Sequence, residues 1–439
     1  MFVVWLIVAV SVLVHWLYKV NKDYYILAFF AKRIRTKDGT PVENIVAINK
    51  GNTIFGNSFD LYGQDHASVF THTRVGAKLG RNYLEYVMGT PIYNIIDAEG
   101  SDSILNNPNL IPKSIVYNFL HPFLRTGLLT STGKKWHARR KMLTPTFHFN
   151  ILGQFQEIFK FNWFAAKDYA AALDVVHSFS SEIIAKRRVL LEDELQSRNE
   201  TQTADDDLFA GKKKRFAMLD TLIHAEKDGL IDHIGICEEV DTLMFEGYDT
   251  TSIGLIFGLL NMSLYADKQE LCYQEIQEHI KDDLSNLDIS HLNKLKYLEY
   301  FVKETMRLYP SVPGMGREVV EETVLDNGLV LPKGTQIVIH NFDVHRNPKL
   351  WDSPEEFRPE RFTPENSQNR HTYAYIPFSA GQRNCIGKKY AVQEMKTLLV
   401  VLLKEFKVLP VTDPKSIIFT TGITLRTQNK IQVKLVRRK

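Results

Sequence analysis

Three observations predict an α+β chain that is mostly α. Helical periodicity fills the middle of the sequence, short alternating runs bounded by turn residues sit at both ends, and no internal repeat or low-complexity tract interrupts them. With 439 residues and 44% hydrophobic content, the chain can bury a large core. A net charge of only +3 argues against nucleic acid as a partner. Its three cysteines, Cys237, Cys272 and Cys385, include no C-x-x-C pair, which excludes a disulfide framework or an ordinary zinc site and fits a reducing compartment.

Residues Phe2 to Tyr18 are apolar apart from Ser11 and His15. That run of about 17 residues reaches the lower limit for a membrane span. Lys19, Lys22, Lys32, Arg33 and Arg35 follow it and nothing basic precedes it, so the positive-inside rule places the bulk of the chain in the cytosol. A cleaved signal peptide would want a basic start and a small-residue cleavage site, and neither is present. Residues 1–18 are therefore expected to be a transmembrane signal anchor. Residues 19–50 form a polar linker whose Tyr24, Tyr25, Phe29 and Phe30 would rest on the bilayer, and 51–439 form the main domain.

Within that domain, Tyr83–Val87 and Ile92–Ile96 flank a Gly89-Thr90-Pro91 turn and read as a hairpin. Ser131–Arg140 opens a helix, and residues 151–191 continue in helical pattern. Glu192 to Lys214 reads as a surface loop by its charge. Helices return at Arg215–His224, Gly235–Tyr265, Lys268–Asp282 and Leu292–Leu308. Strands are expected at Leu329–Leu331, Gln336–His340, Ile417–Phe419, Ile423–Arg426 and Ile431–Val436, with Gln428-Asn429-Lys430 turning between the last two.

The stretch with most chemical character is Pro377–Gly387. Cys385 ends a glycine-bearing loop, and an amphipathic helical run follows it. The free N–H groups and dipole of that helix N-terminus should favour a thiolate, with Arg383 adding positive charge. Gly381 permits the turn, and Gly387 lets something large and flat approach the backbone. A loop built this way can present sulfur to haem iron. Phe378, Gly381, Arg383, Cys385 and Gly387, spaced F-x-x-G-x-R-x-C-x-G, resemble the ligand loop of the haem-thiolate monooxygenases, the cytochromes P-450. The resemblance runs from about Gly51 to the C-terminus. It implies the helical fold of that family with small β-sheets, a b-type haem on Cys385, and a membrane-anchored oxidoreductase facing the cytosol from the endoplasmic reticulum.

The helix around Glu246-Gly247-Tyr248-Asp249-Thr250-Thr251 is apolar nearly all round, which predicts burial. Yet it carries Gly247, Gly254 and Gly258, each of which costs a helix interior about 0.5–1 kcal/mol. Such a helix suits a site where a ligand comes close. In the resembled family it forms the oxygen-binding groove. Gly247 would make room over the iron, and Thr250 with Asp249 would relay protons. An acid at Glu246 resembles the fourth family, the fatty-acid ω-hydroxylases and their insect microsomal members, where it can form an ester with a haem methyl. Trp136 and Arg140, one helical turn apart, match the clamp on the haem propionates together with Arg317 and Arg383.

Glu304 and Arg307, three apart on one helix face, match the family's structural triad with Arg361. Lys134, Lys135, Arg139, Lys388 and Lys389 offer a docking face for an acidic reductase. The resemblance implies electrons from NADPH through a flavoprotein P-450 reductase, with cytochrome b5 as a second donor, and a lipophilic substrate such as a fatty acid, hormone-like lipid or xenobiotic. It breaks at one place. Near Phe155–Lys160 several dozen residues expected of the family are absent, including helices that roof the substrate pocket. Two alternatives follow: a haem-binding but silent shortened isoform, and a reductase-independent isomerase or peroxygenase. The intact Asp249–Thr250 pair disfavours the second.

Overall fold

The computed structural model describes residues 34–39, 64–74, 78, 80–87, 90–147, 169–201, 217–280, 284, 287–420 and 422–438. The expected anchor, most of the linker and the expected break near Phe155–Lys160 lie outside these residues. Among them, no helix is long and apolar enough to cross a membrane.

The helix His233–Leu264 runs through the centre, as its all-round apolar sequence predicts. Asp232 caps it by accepting from the Gly235 N–H. Tyr169–Thr201, Met218–Lys227, Ala266–His279, Lys296–Leu308 and Lys388–Glu405 pack around it. The expected loop from Glu192 is a helix as far as Thr201, in one element of 33 residues. Charge misled there: Glu, Leu, Gln and Arg are strong helix formers, and no Gly or Pro breaks the run. The expected Leu292–Leu308 helix is instead two, Ile289–Lys294 and Lys296–Leu308, divided at Leu295.

Four strands form the main sheet in the order Tyr83–Val87, Thr90–Ile95, Gln336–Ile339, Met315–Glu318. The first pair is the expected hairpin, registered Tyr83 to Asn94. The central pair, Ile92 to Gln336 through Ile95 to Ile339, is parallel. At the C-terminus the expected pairing across Gln428–Lys430 does not form. Arg426–Thr427 pairs back with Phe419–Thr420, and Val433–Arg437 pairs with Phe406–Pro410. Asn429 explains this. Its side chain accepts from the Ile418 N–H and donates to the Ser416 carbonyl, which ties the turn to the preceding strand.

The triad lies behind the cysteine loop. Glu304 and Arg307 are both fully buried and joined by two hydrogen bonds of 2.8 Å. Arg307 donates further to the carbonyls of His345, Pro354 and Glu356, and its guanidinium lies 5.0 Å from the Trp351 ring centre. Glu304 also accepts from the Arg358 N–H at 2.8 Å and stands 3.3 Å from Arg361 Nε. A buried pair in this geometry is safe only when complete, since one stranded charge costs about 3–5 kcal/mol. Glu304→Gln should therefore lower the unfolding free energy by about that amount in urea titration; a change below about 1 kcal/mol would remove the triad from the scaffold.

Candidate active site

The loop before Cys385 is bent by two left-handed residues, Ser379 (φ 59°) and Gly381 (φ 66°). A Cβ at Gly381 would lie 1.9 Å from the Leu105 carbonyl oxygen, so glycine is required for space as well as for conformation. The Cys385 N–H closes the loop on the Phe378 carbonyl at 2.9 Å, and Phe378 itself packs into the core beside the neighbouring helices. Arg140, on the helix Gly133–Leu143, clamps the loop from outside by donating to the backbone and side-chain oxygens of Asn384 at 2.7 and 2.6 Å. Gly387 caps the helix Lys388–Glu405 and donates its N–H to the sulfur.

The sulfur is accessible yet closely surrounded, and burial pushes the thiol up to about 11. Glu246 adds to the rise, while the Gly387 N–H, Arg140 and Lys388 oppose it without prevailing. The expected spontaneous thiolate is corrected accordingly: the helix N-terminus is outweighed by desolvation. Such a thiol is a poor free nucleophile but ionises on binding a metal cation.

Cations gather beside it. Arg317 is 2% exposed and donates to the Gly316 carbonyl at 2.9 Å, with no carboxylate in ion-pair range among the described residues. Arg383 is buried under the Trp136 ring, 4.5 Å from its centre. Its N–H groups go to the carbonyls of Ile111, Leu128 and Ser131, so it braces three segments of chain. Burial and the nearby Arg317 lower it to about 9. Lys113, which sequence patterning did not single out, joins the group. Its ammonium lies 4.5 Å from the Tyr117 ring centre, and burial with Arg317 and Arg383 pushes it well down.

Glu246 faces this cluster from the central helix. Burial raises it to about 6, and Lys113, Arg383 and Arg140 pull the other way. Next to it a Cβ on Gly247 would meet nothing within 4 Å. Thr250 donates its hydroxyl to the Glu246 carbonyl at 2.6 Å, and Ser311 donates to the Thr250 carbonyl at 2.7 Å. Asp249 is buried and turned to the C-terminal strands, where Arg426 and Thr424 hold its two oxygens, the latter at 2.7 Å. Thr251 meets a further acid, Glu394, which burial raises to about 7. These residues fit a flat dianionic macrocycle. Cys385 would hold the metal of such a group, open space lies beside Gly247, and Arg317, with no carboxylate in ion-pair range among the described residues, would meet a propionate.

The family profile described as Cytochrome P450 matches residues 48–163 and 158–435, most of the chain. The chain belongs to the cytochrome P450 family. The fruit-fly protein Cytochrome P450 4p1 (Drosophila melanogaster) is 65% identical over 515 residues, with all of both chains covered. Mouse Cytochrome P450 4V2 is 34% identical over 79% of this chain and 81% of its own. The solved cytochrome P450DA haem domain superposes with a TM-score of 0.71 at 17% identity, covering 88% of this chain and 96% of that one, and supports the fold. This P450 is thus an oxidoreductase of the haem-thiolate monooxygenase class. An alignment of 515 positions against 439 residues leaves several dozen positions without a counterpart here. The two profile matches meet at 158–163, close to the break expected near Phe155–Lys160.

Two expected docking cations are corrected. Lys135 is engaged with Glu238 at 2.6 Å, and Arg139 is buried beside Glu239 at 3.7 Å. Both pin their helix to the central one, whereas Lys134, Lys388 and Lys389 remain exposed. Lys113 and Glu394 carry no local signal of this role, because the Arg317, Arg383 and Glu246 that surround the one and the Thr251 that meets the other come from segments over a hundred residues away. Glu394 generates a pH test. Burial makes it a weaker acid and favours the protonated folded state, so its contribution is full below the ordinary carboxylate range and is lost as pH rises through about 7. Glu394→Gln should abolish that loss, and its melting temperature should exceed wild type at pH 8.5 but not at pH 5. Parallel curves would contradict the assignment.

Proposed function

We propose that this cytochrome P450 hydroxylates lipophilic, fatty-acid-like substrates at the cytosolic face of the endoplasmic reticulum, anchored by residues 1–18. NADPH electrons would come through a flavoprotein reductase docked near Lys134, Lys388 and Lys389, with cytochrome b5 as an auxiliary donor. The observation that carries this reading is the Cys385 sulfur, presented by a tightly bent loop within electrostatic reach of Glu246 and beside Arg317, which has no carboxylate in ion-pair range among the described residues. Haem bound there would supply dioxygen activation and the oxidising power to break a substrate C–H bond. Cys385 would hold the metal, and the Gly387 N–H and Arg140 would moderate the charge on its sulfur. Arg317, Arg140 and Trp136 would fix the propionate edge, and Arg383 braces that edge from behind. Gly247 leaves open space beside the central helix, Thr250 would offer a hydroxyl proton once it releases the Glu246 carbonyl, and Asp249 would join the relay only once freed from Arg426 and Thr424.

Cys385→Ser should remove the thiolate Soret band from the reduced-CO difference spectrum, and Arg317→Gln should weaken haem retention. An unchanged band in Cys385→Ser would overturn the reading.

Glu246 supports an ester link to the haem. Its carboxyl lies near Lys113, Arg383 and Arg140, within electrostatic reach of the Cys385 sulfur. Acidic organic solvent should leave haem attached to the wild type and release it from Glu246→Ala; free extraction from the wild type would end this proposal.

A second reading, a haem-binding but silent isoform, is favoured by the residues without counterpart and by Ile256, Leu398 and Val401. These are 43%, 40% and 39% exposed on the two helices that flank the site. A normal CO spectrum without NADPH-dependent turnover would select it.

A further inference from the structure

Away from the cysteine lies a groove of about 560 Å³, in the size range that holds a small ligand. Its described walls come from the helix His66–Thr73 with Arg74, Lys78 and Gly80, from Asp343–Lys349 with Glu355, and from Ile417–Phe419. None of the residues assigned above to the haem site lines it.

Its walls differ in character. One is basic. Arg74 and Arg346 approach the same Phe342 ring, at 4.4 and 3.7 Å from its centre. Arg74 is paired with buried Asp343 at 2.9 Å, and Arg346, itself 7% exposed at the side chain, with the exposed Glu355 at 3.2 Å. Lys349 donates to the Gly80 carbonyl at 3.3 Å, and Lys78 is exposed beside it. Four cations thus face two carboxylates, and both carboxylates are already committed. The other wall is apolar. Phe70 and Phe419 are packed on each other and on Phe342, so their faces are used, but Ile418 stands 49% exposed beside Ile417.

Excess positive charge at one rim asks for an anion, and the exposed Ile418, continuous with the half-buried Ile417, offers a place for hydrocarbon. A simple anion would leave the isoleucines wet, and a planar base would find no free aromatic face. We propose that this groove binds a single-chain anionic amphiphile, its carboxylate or phosphate against Arg74, Lys78 and Lys349 and its chain along Ile417 and Ile418.

The test uses the full-length protein and photoreactive dodecanoate, dodecyl phosphate and dodecanol, with labelled residues mapped by mass spectrometry. Both anionic probes should label residues 70–74 and 417–419, and the alcohol should not. Lys78→Glu with Lys349→Glu, both exposed and clear of the core, should cut that labelling about tenfold. Inorganic phosphate at the probe concentration should not displace dodecyl phosphate. Equal labelling by dodecanol, indifference to the charge reversal, or full displacement by inorganic phosphate would each overturn the proposal. Labelling of the Cys385→Ser protein should match wild type, which keeps this result separate from the haem reading.

Discussion

The position of the cysteine loop depends on a buried ion pair. Arg307 spends its donors on Glu304 and on three backbone carbonyls, one of them that of His345. Burial and the nearby arginines push the His345 ring down to about 3, so it stays neutral, and its Nε2 accepts from the Ile376 N–H at 2.9 Å. Ile376 is the residue before Pro377, where the loop begins. The loop therefore hangs from the Glu304–Arg307 pair through a neutral imidazole. Charge placed in a dry interior with all five Arg307 donors matched gives a stiff anchor.

The same low dielectric sets the chemistry on the far side of the loop. It raises the Cys385 thiol and Glu246 and lowers Lys113, Arg317 and Arg383. Every one of these groups is disfavoured in its charged form by its own surroundings. A ligand carrying a metal cation at its centre and carboxylates at its edge offsets both signs of that strain at once. The protein is polarised for such a group before it arrives.

What could be read from the sequence were the features written as local spacing. The Cys385 loop, Glu304 with Arg307, the hairpin at Gly89–Pro91 and the buried helix around Gly247 each declare themselves within a dozen residues. What could not be read were choices made between distant segments. Arg139 looks like one more surface cation until Glu239 is brought beneath it, and the bracing of three segments by Arg383 shows only once the carbonyls of Ile111, Leu128 and Ser131 are in place. Asn429 has the sequence context of an ordinary turn residue, yet it binds backward rather than forward. The helix through Glu192–Thr201 differs for another reason: charge density marks exposure, and an exposed segment can be regular.

The break near residue 158 bears unequally on the two halves of the site. Arg426 and Thr424 on Asp249, Ser311 on the Thr250 carbonyl, Glu394 beside Thr251 and Arg140 on Asn384 all come from segments on either side of it, and none from within it. The acid, the alcohol and the thiol thus keep their described partners without the residues that the fruit-fly relative has in addition. Exposure falls elsewhere, on Ile256 of the central helix and on Leu398 and Val401 of the helix that follows the cysteine. Removing a segment from a packed helical protein uncovers the apolar faces it had covered while leaving polar contacts between other elements untouched. The break therefore weighs on stability and substrate enclosure before it weighs on haem ligation, and a spectrum at Cys385 and a turnover assay are expected to respond to it differently.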